Sequence, residues 1–149
     1  MRAVVQRVKR ALVRCDGEVV AEIGTGLVAL VGVGQMDGEE DAEYIAGKLA
    51  TLRVFEDEEG RMSRSPLDLG LSVLIVPNFT LYGDCRKGRR PDFSFAMPRD
   101  RAEPLFRAVV EKARQHGVNA VAAPFGARME VELINDGPVT ILLDSKKLF

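Results

Sequence analysis

Ala3-Val4-Val5-Gln6-Arg7-Val8-Lys9-Arg10-Ala11-Leu12-Val13-Arg14-Cys15-Asp16-Gly17-Glu18-Val19-Val20-Ala21-Glu22-Ile23-Gly24-Thr25-Gly26-Leu27-Val28-Ala29-Leu30-Val31-Gly32-Val33 is the stretch that decides the fold. Residues 3–15 alternate polar and apolar side chains and are rich in β-branched types, which predicts a strand. Asp16-Gly17 then separates this run from a second one, Glu18 to Ile23, and such a step between two strand-like runs predicts a hairpin. Gly24-Thr25-Gly26 turns the chain again. Leu27 to Val33 is almost wholly apolar, the pattern of a central strand buried on both faces.

Beyond this stretch, Asp37 with Glu40 has the spacing of a capping box, and Ala42, Ile45, Ala46 and Leu49 recur at helical spacing. Arg53-Val54-Phe55 reads as a short strand closed by the turn-prone Asp57 to Gly60. Leu71 to Val76 reads as another buried strand, and Gly83 to Pro91 as a polar, basic loop. A second helix is expected from Arg101 to His116, carrying Leu105, Phe106, Val109, Val110 and Ala113, with Gly117 as its stop. Asp100 and Glu103 suggest a cap pair for it, although Pro104 removes an amide close behind. Val118 to Ala122, Met129 to Ile134 and Val139 to Leu143 read as the last strands. The expected fold is one α/β domain over residues 1–149, with a largely antiparallel or mixed, barrel-like sheet and two main helices.

Composition narrows the class. A chain of 149 residues buries roughly 68–70% of its unfolded surface and needs no disulfide staples. Its net charge of −1 argues against a nucleic-acid binder held by bulk positive charge, though a local basic patch could still hold phosphates. No apolar run approaches the ~18 residues of a membrane span. The opening residues carry no apolar signal segment, and Cys15 and Cys85 read as isolated reduced thiols, so a cytoplasmic location is expected.

Common catalytic equipment is missing. There is no G-x-S-x-G, H-E-x-x-H or Walker A motif, and the glycines between Gly24 and Gly34 read as turns around a core strand. His116, the one histidine, lies where a positive charge complements a helix C-terminus, and a triad is not available to it. Two distant cysteines without a histidine cluster make no zinc site, so no metal and no cofactor is expected. Two segments stand out. Val76-Pro77-Asn78-Phe79-Thr80-Leu81-Tyr82 runs a buried strand into a proline and then sets polar side chains at the strand's end. That is either a plain strand exit with a satisfied Asn and Thr or a site. Asn135-Asp136-Gly137-Pro138-Val139-Thr140 is a turn signal between two strands. Arg86, Lys87, Arg89 and Arg90 form the densest basic cluster, either a solvated loop or a phosphate contact.

These segments carry a family resemblance. Met1-Arg2-Ala3-Val4-Val5-Gln6-Arg7-Val8, Asp16-Gly17-Glu18-Val19-Val20, Arg53-Val54-Phe55-Glu56-Asp57, Phe79-Thr80-Leu81-Tyr82, Arg86-Lys87-Gly88-Arg89-Arg90-Pro91 and Asn135-Asp136-Gly137-Pro138-Val139-Thr140 follow one another as in the D-aminoacyl-tRNA deacylases. The chain resembles that family collinearly from Met1 to about Ser145.

The resemblance implies a homodimer that hydrolyses the ester of D-aminoacyl-tRNA, and of glycyl-tRNA mischarged on tRNA-Ala. It implies a cis Gly137-Pro138 step that reaches the partner subunit's site, where its carbonyls meet the substrate's amino group and exclude an L side chain. Asn78, Phe79 and Thr80 would form the catalytic half, with backbone amides such as that of Phe79 facing the ester carbonyl as an oxyanion hole. Thr80 is a candidate nucleophile, but a threonine with no adjacent base is a poor one, and a supporting role fits better. The 2′-hydroxyl of the terminal adenosine would then help to activate water. Arg86, Lys87, Arg89 and Arg90 would hold acceptor-stem phosphates. One departure stands out: the family usually has Ser-Gln where this chain has Pro77-Asn78. That departure favours a competing reading, a non-catalytic tRNA-binding module, and a third reading is a nucleic-acid-associated accessory protein acting through the Arg86 to Arg90 loop alone.

Overall fold

The computed structural model describes residues 1–149. Strand β1 (Arg2–Cys15) folds back through Asp16 and Gly17, both at positive φ as a two-residue hairpin turn requires, into β2 (Glu18–Ile23). Strand β3 (Gly26–Gly32) returns beside β1, and helix α1 (Glu39–Thr51) follows. Two short strands, β4 (Phe55–Glu56) and β5 (Met62–Arg64), make a separate small ribbon. One helical turn, α2 (Pro66–Leu69), leads into β6 (Ser72–Pro77). Helix α3 (Arg99–Gln115), β7 (Asn119–Ala122) and β8 (Glu130–Asp144) complete the chain.

The main sheet has the order β2-β1-β3-β6-β7, with β8 on the other edge of β1. It is mixed. β1 pairs antiparallel with β2, β3 and β8, while β3, β6 and β7 run parallel, their crossovers carried by α1 and α3. Alternation distributes the core. Leu27, Ala29, Val31, Val73 and Ile75 face Ile45, Leu49, Phe106 and Val109 of the two long helices. Val28, Leu74 and Val76 face the opposite way and meet Ala21 and Ile23 of β2, which curls over that face and nearly closes the sheet. β3 is therefore buried on both faces, as its apolar run predicts.

In β1 the alternation breaks once. Ala3 and Val5 face the helices, but Val8, Ala11 and Val13 all lie on the opposite face. The parity change falls at Lys9, where two residues of β1 advance against one of β8, a bulge that leaves Lys9 and Arg10 in solvent.

Two local expectations need correction. Helix α1 is capped one residue later than the Asp37/Glu40 spacing predicts: Gly38 is its N-cap, and Asp41 Oδ2 accepts from the Gly38 amide at 2.8 Å. Asp37 is engaged elsewhere, accepting from the buried Met1 ammonium at 2.6 Å and from the Gly34 amide at 2.6 Å. Helix α3 begins at Arg99 behind Pro98, without a side-chain cap, and Glu103 pairs with Arg107 instead of capping. The single-turn helix α2, closed by reciprocal Ser65 and Asp68 bonds, was not anticipated.

Gly26 is not merely a turn residue. A Cβ there would lie 2.0 Å from the Ser72 carbonyl oxygen, whereas one on Gly24 would meet nothing within 4 Å. The parallel β3–β6 pairing thus begins at a backbone contact that no side chain can share. Gly26→Ala should destabilise the fold by about 2–3 kcal/mol in urea unfolding. Gly24→Ala should cost nothing or stabilise by roughly 0.5 kcal/mol. Equal effects at the two positions would contradict this close-approach account.

Candidate active site

β6 ends at Pro77, the last rung beside Val31 of β3. Asn78 keeps the chain tied to β3, its amide donating to the Val31 carbonyl at 2.8 Å. It then caps a 3₁₀ turn, Phe79–Tyr82. Its side-chain oxygen accepts from the Thr80 amide at 3.2 Å and from the Thr80 hydroxyl. The hydrogen bonds of the turn leave the Phe79 N–H without an acceptor. Phe79 and Thr80 are both exposed, and the Phe79 ring meets Phe93 edge-on at 5.1 Å. The turn thus presents one free backbone donor and one hydroxyl held in a fixed direction. The Thr80 hydroxyl donates to a neutral amide, which cannot take its proton.

Beside the turn lies a cavity of about 570 Å³, lined by Pro77, Asn78, Phe79, Phe93, Arg99 and Phe125 among others. Its walls are mainly apolar and aromatic, and Arg99, at the start of α3, brings a guanidinium to it over Gly126. Neither Arg99 nor Phe125 was singled out from sequence, because nothing in their local pattern distinguishes them from a helix start and a core aromatic.

The second segment is not a turn between two strands. Residues on both sides of it, Glu130 to Asn135 and Thr140 to Asp144, pair with the same strand β1 in one direction. Between the rungs Val8–Asn135 and Gln6–Thr140 the chain bulges outward through Asp136, Gly137, Pro138 and Val139. The Gly137-Pro138 bond is cis, and both residues are exposed. Gly137 has φ 144°, a conformation that side-chain-bearing residues rarely adopt. Asn135 locks the bulge: its amide nitrogen donates to the Val139 carbonyl and to Gln6 Oε1, both at 3.0 Å, and its oxygen accepts from the Val139 amide at 2.8 Å.

From beneath, Arg7 anchors the same bulge. It is buried, donates from Nε to the Asp136 carbonyl at 2.9 Å and from Nη1 to the Val54 carbonyl at 2.6 Å, and pairs with the Asp136 carboxylate at 3.6 Å. The polar position of Arg7 in an otherwise apolar alternation was a usable signal. Within one chain no hydrogen bond joins the Gly137-Pro138 bulge to the Asn78–Thr80 turn.

The basic loop is less uniform than its sequence. Arg86 is spoken for by Asp84, with Nε–Oδ1 at 2.9 Å and Nη2–Oδ2 at 2.6 Å, and that contact holds the Asp84 carboxyl down at about 2. Lys87, Arg89 and Arg90 are exposed and form no ion pair. His116 caps the end of α3, and its Nε2 lies 2.6 Å from Glu43 Oε1 of α1, a structural tie between the helices.

Removing Arg7 leaves two inward carbonyls without a donor. Arg7→Met should therefore lower stability by about 3 kcal/mol in denaturant unfolding. Arg10→Met, which removes an exposed pair with Glu132, should cost under ~1 kcal/mol. Similar costs for both would remove Arg7 from its anchoring role.

Comparison with known proteins identifies the family and the fold. The family model described as D-Tyr-tRNA(Tyr) deacylase matches residues 4–144. A D-aminoacyl-tRNA deacylase of Geobacillus sp. (strain WCH70) is 57% identical over 99% of this chain and 97% of its own. One of Symbiobacterium thermophilum is 56% identical over 100% and 99%. Among solved structures, a c-Myc DNA Unwinding Element Binding Protein superposes with a TM-score of 0.90 at 41% identity, over 97% of this chain and 98% of that one. A probable eukaryotic D-amino acid tRNA deacylase does so with a TM-score of 0.82 at 17% identity, over 95% and 97%, a likeness of fold. The chain that sets a free Phe79 amide beside an aromatic cavity and extrudes Gly137-Pro138 from its longest strand belongs to the D-Tyr-tRNA(Tyr) deacylase family.

Proposed function

We propose that this chain hydrolyses the ester bond of D-aminoacyl-tRNA, releasing the D-amino acid and free tRNA, and that it does so as a homodimer. The observation that carries the reading is the unclaimed Phe79 N–H at the mouth of the cavity, next to a Thr80 hydroxyl aimed by Asn78. A donor fixed before substrate arrives stabilises the oxyanion of a tetrahedral intermediate without reorganising. The terminal adenosine would lie in the 570 Å³ cavity, its base against aromatic walls that include Phe125. The ester carbonyl would then face Phe79. Water adds to the carbonyl carbon, the bond from that carbon to the ribose oxygen breaks, and the ribose oxygen takes up a proton. The neighbouring 2′-hydroxyl of the substrate assists the water.

Chiral selection follows on this reading from the exposed bulge at Gly137-Pro138, presented to the partner subunit's cavity. Backbone carbonyls hold the substrate's ammonium in one orientation, and an L side chain then has no room. Glycine has no side chain to reject, so glycyl-tRNA would enter. A dimer is supported by β8: its second edge is unpaired, and Val131, Ile134 and Leu142 are exposed along it. Lys87, Arg89 and Arg90 supply sequence-independent contacts to acceptor-stem phosphates, with Arg86 contributing less because Asp84 holds it. Asn78 in place of Gln still makes the cap that orients Thr80, so the Pro77-Asn78 departure does not by itself dismantle the turn. A relative named for binding a DNA element gives the accessory-protein reading one specific support, and ester hydrolysis separates the two.

D-tyrosyl-tRNA should lose its amino acid on incubation with the protein, glycyl-tRNA should do so as well, and L-tyrosyl-tRNA should not. Efficient cleavage of the L-ester under the same conditions would defeat the reading. Thr80→Ala should retain measurable hydrolysis, with a loss smaller than the roughly 10²–10³-fold that removal of an oxyanion donor costs. A dead variant together with an acyl-threonine trapped in the wild type would make Thr80 the nucleophile instead.

A further inference from the structure

We propose that Arg2 is a positioning residue for ester hydrolysis: with Tyr82 seated on Gly34, it fixes the turn that presents Phe79 and Thr80. The inference rests on the reading of that turn as the place of ester cleavage. A 3₁₀ turn of four residues has little internal stability, and this one is exposed at its working end. What holds it is therefore decisive for the direction of the Phe79 amide. Its N-terminal end is tied by Asn78. Its C-terminal end is tied by contacts from outside the turn.

Arg2 makes two such contacts and is itself held by a third, to β8. Its Nη1 donates to the Leu81 carbonyl at 3.2 Å, its guanidinium lies 4.6 Å from the centre of the Tyr82 ring, and its Nε donates to Asp144 Oδ2 at 3.2 Å. Asp144 is buried and ends β8, the strand that carries the Gly137-Pro138 bulge. One planar cation thus connects the turn to the strand that carries the Gly137-Pro138 bulge. The rung Arg2–Gly32 sets where the arginine starts, and the rung Arg2–Asp144 sets where its partner lies.

Glycine makes room for the Tyr82 ring. A Cβ on Gly34 would lie 2.6–2.7 Å from the phenol end of Tyr82, and one on Gly32 would lie 2.9 Å from the Asn78 carbonyl and 3.1 Å from Leu81 Cβ. These two strand-end glycines form the seat of the turn. The Tyr82 hydroxyl donates to Asp37 Oδ2 at 3.3 Å, and Asp37 is itself pinned by the Met1 ammonium. Burial, then the charge of Asp37, pushes the Tyr82 phenol up, so it stays a donor at working pH. Lysine cannot replace this arginine, because a point charge cannot stack on a ring while bonding a carbonyl and a carboxylate in two directions.

The experiment is steady-state hydrolysis of D-tyrosyl-tRNA by the wild type, Arg2→Lys, Arg2→Ala and Gly34→Ala, with melting temperatures and with methylguanidinium added to Arg2→Ala. A misplaced reacting group costs turnover more than binding, so kcat should fall about 10–100-fold in all three variants, with KM within about 3-fold. Arg2→Lys should melt close to the wild type, and methylguanidinium should restore part of the kcat of Arg2→Ala. Wild-type turnover in Arg2→Lys overturns the proposal, as does a kcat loss that methylguanidinium leaves untouched and that tracks the melting temperature across the variants. A wild-type protein that hydrolyses no D-ester refutes the esterase reading, and this inference with it, whereas an active wild type with an equally active Arg2→Lys refutes the inference alone.

Discussion

Strand β1 forms hydrogen-bonded ladders along both of its edges, and the rest of the molecule depends on that double pairing. One edge takes β3 and then β2, and the other takes β8 over nearly its whole length. A strand bonded on both edges has no freedom to slip, since a shift of one residue would turn every side chain to the wrong face. Everything polar on β1 is therefore placed with the precision of the sheet. Arg2 is delivered beneath the 3₁₀ turn, Gln6 to Asn135, and Arg7 to the backbone of the bulge.

Both candidate halves of the site are departures from regular structure held by this regular frame. The turn at Phe79 starts where the parallel pairing with β3 stops, and the free amide exists because a strand has ended. The bulge at Gly137-Pro138 exists because β8 inserts four residues between Asn135 and Thr140, opposite the short step from Val8 to Gln6. Backbone groups freed in this way must be held by side chains if they are to point in one direction. Asn78, Asn135, Arg7 and Arg2 do this, each bonding to main-chain atoms of the segment it steadies.

The strands were legible because alternation and β-branching follow from the geometry of a pleated chain alone. The Asp16-Gly17 hairpin, the doubly buried β3 and the two long helices belong to this group. The N-terminus of α1 was misplaced by one residue because Asp37 has the right chemistry for a cap but a stronger partner in the Met1 ammonium, far away in sequence. The last two strand-like runs were separated by an apparent turn signal that turned out to sit inside one strand. Asn-Asp-Gly-Pro chemistry reads the same in a hairpin and in an extruded bulge, and only the partner strand distinguishes them.

By itself the sequence determined the elements, the near absence of conventional catalytic groups and, through its ordered motifs, the family. Those are local or linear properties, carried by side-chain type and spacing. Only the tertiary structure decided that Phe79 offers an unbonded amide beside an aromatic cavity, that Arg86 is already occupied by Asp84, and that Gly26, Gly32 and Gly34 are spaces for other backbone and ring atoms. These are properties of what stands opposite a residue, which pairing across the sheet creates and spacing along the chain does not record.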